Sequence, residues 1–215
     1  MKVSIIIPYR KDRGYLKEAV DSASNQDGFT IGVDYEVILQ KGEYRLGKNI
    51  NDAVKKAKGR YIKILADDDL LTPNCLLDLY SKAEQGFDFV CADAIDFGLP
   101  EGDIYHPSLL PRTVNELARE NTIHGGSILY RKETMPLWDE DLWSAEEYEM
   151  SLRMAAMGLR FGYVDKVVYK YRIHSQRKTD EWVDVYRTGE KEYRKDYRDR
   201  VIVSKYLGKL IVINR

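Results

Sequence analysis

Three carboxylates stand in a row at Asp67, Asp68 and Asp69, directly after the apolar run YIKIL (61–65). Adjacent anions repel one another, and crowding them at the end of a buried strand makes ionising all three harder. Something positive must offset them. Oxygen donors at a turn suit a hard cation such as Mg2+ or Mn2+, which completes its shell with substrate phosphate oxygens. The plain alternative is a solvated acidic turn that caps the helix opened by Pro73. A second acidic group, Glu146, Glu147 and Glu149, lies in SAEEYEM (144–150). A carboxylate there could take a proton from a hydroxyl. Equally, Glu147 could close a capping box with Ser144, because S-x-x-E is that motif; Glu149 reads as solvated surface. Further on, YRIHSQRKT (171–179) supplies Arg172, His174 and Arg177. Imidazole can ligate a cation or hydrogen-bond a phosphate, and guanidinium groups clamp diphosphates with paired bonds.

These residues need elements to position them. Val3–Ile7, Tyr35–Leu39, Tyr61–Leu65 and Phe87–Cys91 are short β-branched or apolar runs that predict buried strands. Between them, Tyr15–Asn25, Lys48–Ala57 and a stretch from Pro73 to Ala83 carry helical spacing. Strand alternating with helix predicts an α/β domain with a parallel sheet and right-handed crossovers. In such sheets ligands bind beyond the carboxyl ends of the strands. Pro8, Tyr9 and Arg10 after the first strand, Gln40 and Lys41 after the second, and Asp67–Asp69 after the third should therefore line one crevice. The second half is less regular. Gly98–Pro111 reads as loop, Val114–Glu120 as a short helix, Gly126–Tyr130 as a strand and Ala145–Met157 as a helix. Phe161–Val164 and Val167–Tyr171 read as two strands, and Asp180–Tyr197 as a highly charged helix.

Bulk composition narrows the function. The 215 residues hold 34 Lys plus Arg against 35 Asp plus Glu, a net charge of -1, so the basic excess of a nucleic-acid binder is missing. Cys75 and Cys91 sit in apolar runs and read as buried thiols, without disulfide or metal spacing. The apolar stretch in MKVSIIIPYRK is too short for a signal sequence or a membrane span, so a cytoplasmic location is expected, with membrane contact at most peripheral.

Five segments in order, VSIIIPYRKD, LGKNINDAVKKAKGRYIKILADDD, HGGSILYRKE, LWSAEEYEMSLRMAAMG and YKYRIHSQRKT, resemble the family-2 glycosyltransferases. The resemblance implies the GT-A fold: a Rossmann-like, mostly parallel sheet flanked by helices, with a smaller mixed acceptor-side half. It implies one domain over residues 1–178, with a nucleotide-binding half over 1–97 and an acceptor-side half over 98–178; residues 179–215 follow as a charged helical extension. It implies inverting transfer of a hexose from a UDP-sugar to a hydroxyl on a glycan or glycoconjugate, with Mn2+ or Mg2+. The family's usual Asp-x-Asp-Asp register puts its first Asp on Ala66, a departure. Asp68 is then the principal metal ligand, with Asp69 and His174 assisting and Asp67 toward the ribose; an Asp67-x-Asp69 pairing is the other register. Where the family often reads uracil with an Asp, this chain offers Gln40, which leaves dTDP or GDP as second choices. Aligned on the family's Glu-Asp pair, Glu147 is the catalytic base and Glu146 helps place substrate. His124, Gly125 and Gly126 fall where donor sugar meets acceptor, the glycines letting backbone approach the sugar. Arg10, Arg13 and Lys48 are candidate nucleotide contacts, Tyr9 a stacking partner for the base, Arg172 and Arg177 clamps for the diphosphate. Trp138 and Trp143 could stack on a sugar or pack in the core.

Two other functions fit part of the pattern. A nucleotidyltransferase has a similar sheet and acidic site but needs a Gly-rich loop after strand one, and PYRKDRGY has a single glycine. A non-catalytic nucleotide-sugar-binding domain would explain Ala66 and Gln40, but not the retained Asp67–Asp69 and Glu146-Glu147.

Overall fold

The computed structural model describes residues 1–42, 45–100, 102–110, 114–142 and 145–175. The expected helix Asp180–Tyr197, Arg177, Trp143 and Ser144 lie outside them. Strand β1 (Val3–Tyr9) pairs in parallel with β2 (Tyr35–Lys41) on one side and β3 (Tyr61–Ile64) on the other. Helices α1 (Leu16–Ser24) and α2 (Leu46–Lys56) make the crossovers, as the alternation predicts. The remaining strands are β4 (Leu70–Leu71), β5 (Phe89–Phe97), β6 (Ile104–His106), β7 (Leu129–Arg131) and β8 (Phe161–Arg172). Helix α3 (Cys75–Ala83) precedes β5, α4 (Val114–Arg119) follows β6, and α5 (Glu146–Ala156) precedes β8. The sheet order is β2-β1-β3-β7-β5-β8-β4, with β6 on β5.

Buried strands need apolar side chains on both faces. Ile6, Ile62, Phe89 and Tyr130 pack under α2, α4 and α5, while Val3, Ile5, Ile7, Tyr61 and Leu129 pack under α1 and α3. Burying each isoleucine of β1 contributes roughly 1.5–3 kcal/mol. Both cysteines are buried, and burial pushes their thiols up to about 11 for Cys75 and about 12 for Cys91.

The sheet is more mixed than the first-half alternation suggests. β7 inserts antiparallel between β3 and β5, so those two strands never touch. The segment GSILY divides into a 3-10 turn at Gly125–Ser127 and the short β7. The two strands expected after Gly158 are one, β8, paired in parallel with β5 through a register shift near Asp93. β5 itself runs on to Phe97 rather than stopping at Cys91, because its polar Asp93 is satisfied in the core. That carboxylate is 0% exposed and accepts from the hydroxyls of Tyr105 and Tyr163 and from the Ser108 N–H. Tyr105 lies on β6, a strand inside the stretch read as loop.

Candidate active site

The pairing of β4 with β8 builds the site. Leu70 faces Lys170 and Leu71 faces Tyr169 across an antiparallel ladder, which brings the end of β8 beside the turn that follows β3. Arg172 then holds that turn. Its backbone N–H donates to Asp69 Oδ1 at 2.7 Å, its Nε donates to the Asp68 carbonyl at 2.8 Å, and its Nη2 reaches Glu18 on α1 at 2.7 Å. The guanidinium also lies over the rings of Tyr15 and Phe97.

The three aspartates part company here. Asp69 is 2% exposed; its second oxygen accepts from the Tyr169 hydroxyl at 2.6 Å. Burial, with the charge of Asp68 beside it, pushes its carboxyl up to about 7. Expected as a helper to the metal, Asp69 instead has both oxygens engaged by β8. Asp67 and Asp68 face the other way, each taking a 2.8 Å bond from Nη2 of Arg13. Burial, opposed by Arg13, raises the Asp67 carboxyl. Asp68 Oδ2 also lies 3.1 Å from His174 Nε2, and the His174 ring rests on Tyr15 with centroids 4.7 Å apart. The plain reading of a turn that caps α3 fails: the backbone N–H of Leu76 is met by the Gln26 side chain.

Lys63 adds a buried positive charge whose field reaches Asp69. It is 0% exposed on β3, donates to the carbonyls of Ile64 and Gly126, and lies over the Tyr169 ring. Burial pulls its ammonium down to about 8. A lysine inside YIKIL, just ahead of three acids, was the signal for it.

In the half expected to face the acceptor, α5 begins at Glu146 with Ala145 in the N-cap position at φ 59°. Glu147 is therefore the second residue of the helix, not the third that a capping box with Ser144 requires. Glu146 and Glu149 are buried at 4% and 2%, and Glu149 is paired with Arg153 at 3.0 Å, so it is not solvated surface. Glu147 is partly exposed. The two glycines before it are fixed by packing. A methyl on Gly125 would strike Cβ of Glu147, and one on Gly126 would strike the Tyr169 ring. Glu147, Gly125-Gly126, Tyr169, Asp69 and Asp68 thus form one run of touching groups. Trp138, 2% exposed, packs edge-on to Tyr130 in the core.

His124 leads into this run. Among the described residues its buried Nδ1 finds no partner, and its ring lies against Tyr169 and Tyr171. Burial first, then the positive fields of His106 and Lys63, lower it to about 4. The unfolded chain binds this proton below about 6.5, whereas the native state refuses it until about 4. The stability it contributes is present above about 6.5 and is lost as pH falls through that window, up to about 3 kcal/mol. Urea melts between pH 7 and pH 4 should show that loss in the parent and a flatter dependence in His124→Gln; equal slopes would mean a solvated ring.

The nucleotide-side candidates are spread along the strand ends. Buried Pro8 and partly exposed Tyr9 close β1 opposite Gln40 and Lys41 of β2. The Gln40 amide donates to the Lys41 carbonyl and accepts from Lys56 at 2.9 Å. Arg10 is exposed. Lys48 pairs with Asp52 one turn along α2 at 2.9 Å rather than with the acidic turn.

A dication fits the Asp68–His174 corner. Carboxylate oxygen and imidazole nitrogen are donors that Mn2+ accepts. Among the described residues no three His, Cys, Asp or Glu side chains gather into a metal-holding group.

A sheet with parallel β2-β1-β3, an acidic turn after β3 and a carboxylate helix beyond is the arrangement the resemblance to GT-A glycosyltransferases implies. The chain belongs to glycosyl transferase family 2, whose family model matches residues 32–157, and so is a nucleotide-sugar glycosyltransferase. It is 26% identical over 204 residues to an uncharacterized glycosyltransferase of Methanocaldococcus jannaschii, covering 80% of this chain and 70% of that protein. It is 24% identical over 213 residues to one of Rickettsia prowazekii, covering 83% and 66%. Two solved structures share the fold. S. aureus TarS 1–349 in complex with UDP-GlcNAc superposes with TM-score 0.66 at 16% identity, over 96% of this chain and 72% of that one. Mannosyltransferase PcManGT from Pyrobaculum calidifontis, in complex with GDP-Man and Mn2+, gives 0.59 at 16%, over 92% and 64%. Among the described residues no helix is long and apolar enough to cross a membrane.

Proposed function

We propose that this glycosyltransferase moves a hexose from a UDP-sugar to a hydroxyl of a glycan or glycoconjugate with inversion, using Mn2+ or Mg2+. The observation that supports this reading is the run of touching groups from Asp68 to Glu147, which links the acidic turn and His174 to the start of α5. The TarS complex with UDP-GlcNAc favours UDP, and the PcManGT complex favours Mn2+.

In this reading the nucleotide lies across the ends of β1 and β2, over Pro8 and Tyr9 and beside Gln40. Asp67 faces the ribose, while Asp68 and His174 hold the dication. When bound, the cation neutralises charge developing on the departing diphosphate. Arg172 keeps the turn in place through the Asp68 carbonyl and Asp69. Glu147 accepts the proton of the acceptor hydroxyl as that oxygen bonds to the anomeric carbon from the face opposite the leaving group. The sugar–phosphate bond breaks and UDP leaves. Glu146, the first residue of α5 and 4% exposed, helps place the substrate.

Nucleotide release from a panel of UDP-, dTDP- and GDP-sugars, each with Mn2+ and with EDTA, tests this. UDP released from at least one UDP-sugar in Mn2+ but not in EDTA is the expected result. Nucleotide release that is insensitive to EDTA overturns the cation assignment, and release confined to GDP- or dTDP-sugars overturns the choice of uridine.

A further inference from the structure

Arg13 stands where the proposed dication has to bind. A single nitrogen, Nη2, donates to Asp67 Oδ1 and to Asp68 Oδ2 at 2.8 Å each. That Asp68 oxygen is also the one facing His174. The three groups are shielded but not sealed, with the Arg13 side chain 22% exposed and the two carboxylates 13% and 14%. Arg13 belongs to the turn between β1 and α1, not to a helix or strand. The next residue, Gly14, has φ +94° and open space around it.

We propose that Arg13 is a resident counter-cation that competes with the dication for Asp67 and Asp68, so that the metal loads together with the nucleotide rather than before it. The inference rests on the cation reading above. Two neighbouring carboxylates in a shielded turn repel each other, and one guanidinium bridging both relieves that repulsion. A guanidinium does not deprotonate, so it can yield its place only by moving. A dication arriving alone must displace Arg13 or share an oxygen with it against Coulomb repulsion. A diphosphate arriving with it brings negative charge that offsets both cations. Nucleotide and metal then raise each other's affinity, and such coupling is reciprocal.

Mn2+ binding tests this without any turnover. The signal of free aqueous Mn2+ in electron paramagnetic resonance gives a Kd with and without UDP for the parent, Arg13→Gln and Arg13→Lys. Without UDP, Arg13→Gln should bind Mn2+ about tenfold more tightly than the parent, within the ordinary range of coupling. Arg13→Lys keeps the charge and should stay near the parent. With UDP present the gap between Arg13→Gln and the parent should close. If Arg13→Gln binds Mn2+ no more tightly than the parent without UDP, while the parent takes up Mn2+ once UDP is added, the competition is wrong and the metal site stands. Failure of every variant to take up Mn2+ even with UDP removes the metal site and this inference with it.

Discussion

Glu147→Gln should bind donor as the parent does and turn over about 10²–10⁴-fold more slowly, the contribution of a positioned base. Three carboxylates share the first turn of α5, and the choice among them is physical. A base must meet the acceptor, so it needs access. Glu146 and Glu149 are 4% and 2% exposed, and Glu149 is engaged by Arg153. Glu147 alone of the three is partly open. The amide replacement keeps the volume and the close approach to Gly125, so packing survives while the proton acceptor is lost. UDP affinity by calorimetry and kcat with a competent donor and acceptor make the check. A kcat near that of the parent would remove Glu147 from the base role. A weakened UDP affinity with normal kcat would make it a binding group instead.

Much of this arrangement was legible in the sequence where local pattern decides structure. The strands and helices up to Cys91 follow from runs and periodicity, except the two-residue β4 that pairs with β8, and their alternation put Asp67–Asp69 at a strand end. What the pattern could not supply was long-range pairing. GSILY reads as a strand, yet nothing local says that its Leu129–Arg131 portion will run antiparallel between β3 and β5. Nor does VCADAIDF show that Asp93 is buried; its partners Tyr105 and Tyr163 are 12 and 70 residues away. An acid in the middle of an apolar run looks like the end of a strand until those hydroxyls are placed.

The acidic turn shows the same boundary more sharply. Charge clustering said that Asp67–Asp69 needed positive partners but not which acid would take which. The structure divides them: Asp69 to β8, Asp67 and Asp68 to Arg13, and Asp68 also to His174. The glycines carry a similar lesson. HGG reads as room for a sugar, whereas in the fold that room is already taken by Glu147 and the Tyr169 ring. The pair acts by letting two elements of the site approach, a role visible only once α5 and β8 are in place.

That division makes Asp68→Ala and Asp69→Ala different experiments. The Asp68 carboxylate is 14% exposed and shared by Arg13 and His174. Replacing it should leave the fold standing and erase the gain in UDP affinity that Mn2+ confers. The loss should be at least the 10–100-fold that follows removal of even a supporting partner of a metal ligand. Asp69 is packed between Tyr169 and the Arg172 backbone. Its removal leaves a buried hydroxyl and a backbone N–H without acceptors, at a cost of about 1–3 kcal/mol for each unsatisfied group. Asp69→Ala should therefore melt earlier, and Asp68→Ala should melt close to the parent yet bind UDP equally in Mn2+ and in EDTA. If Asp68→Ala keeps its Mn2+-dependent gain, the cation is held elsewhere. If Asp69→Ala melts like the parent and loses that gain instead, the two aspartates have been assigned the wrong way round.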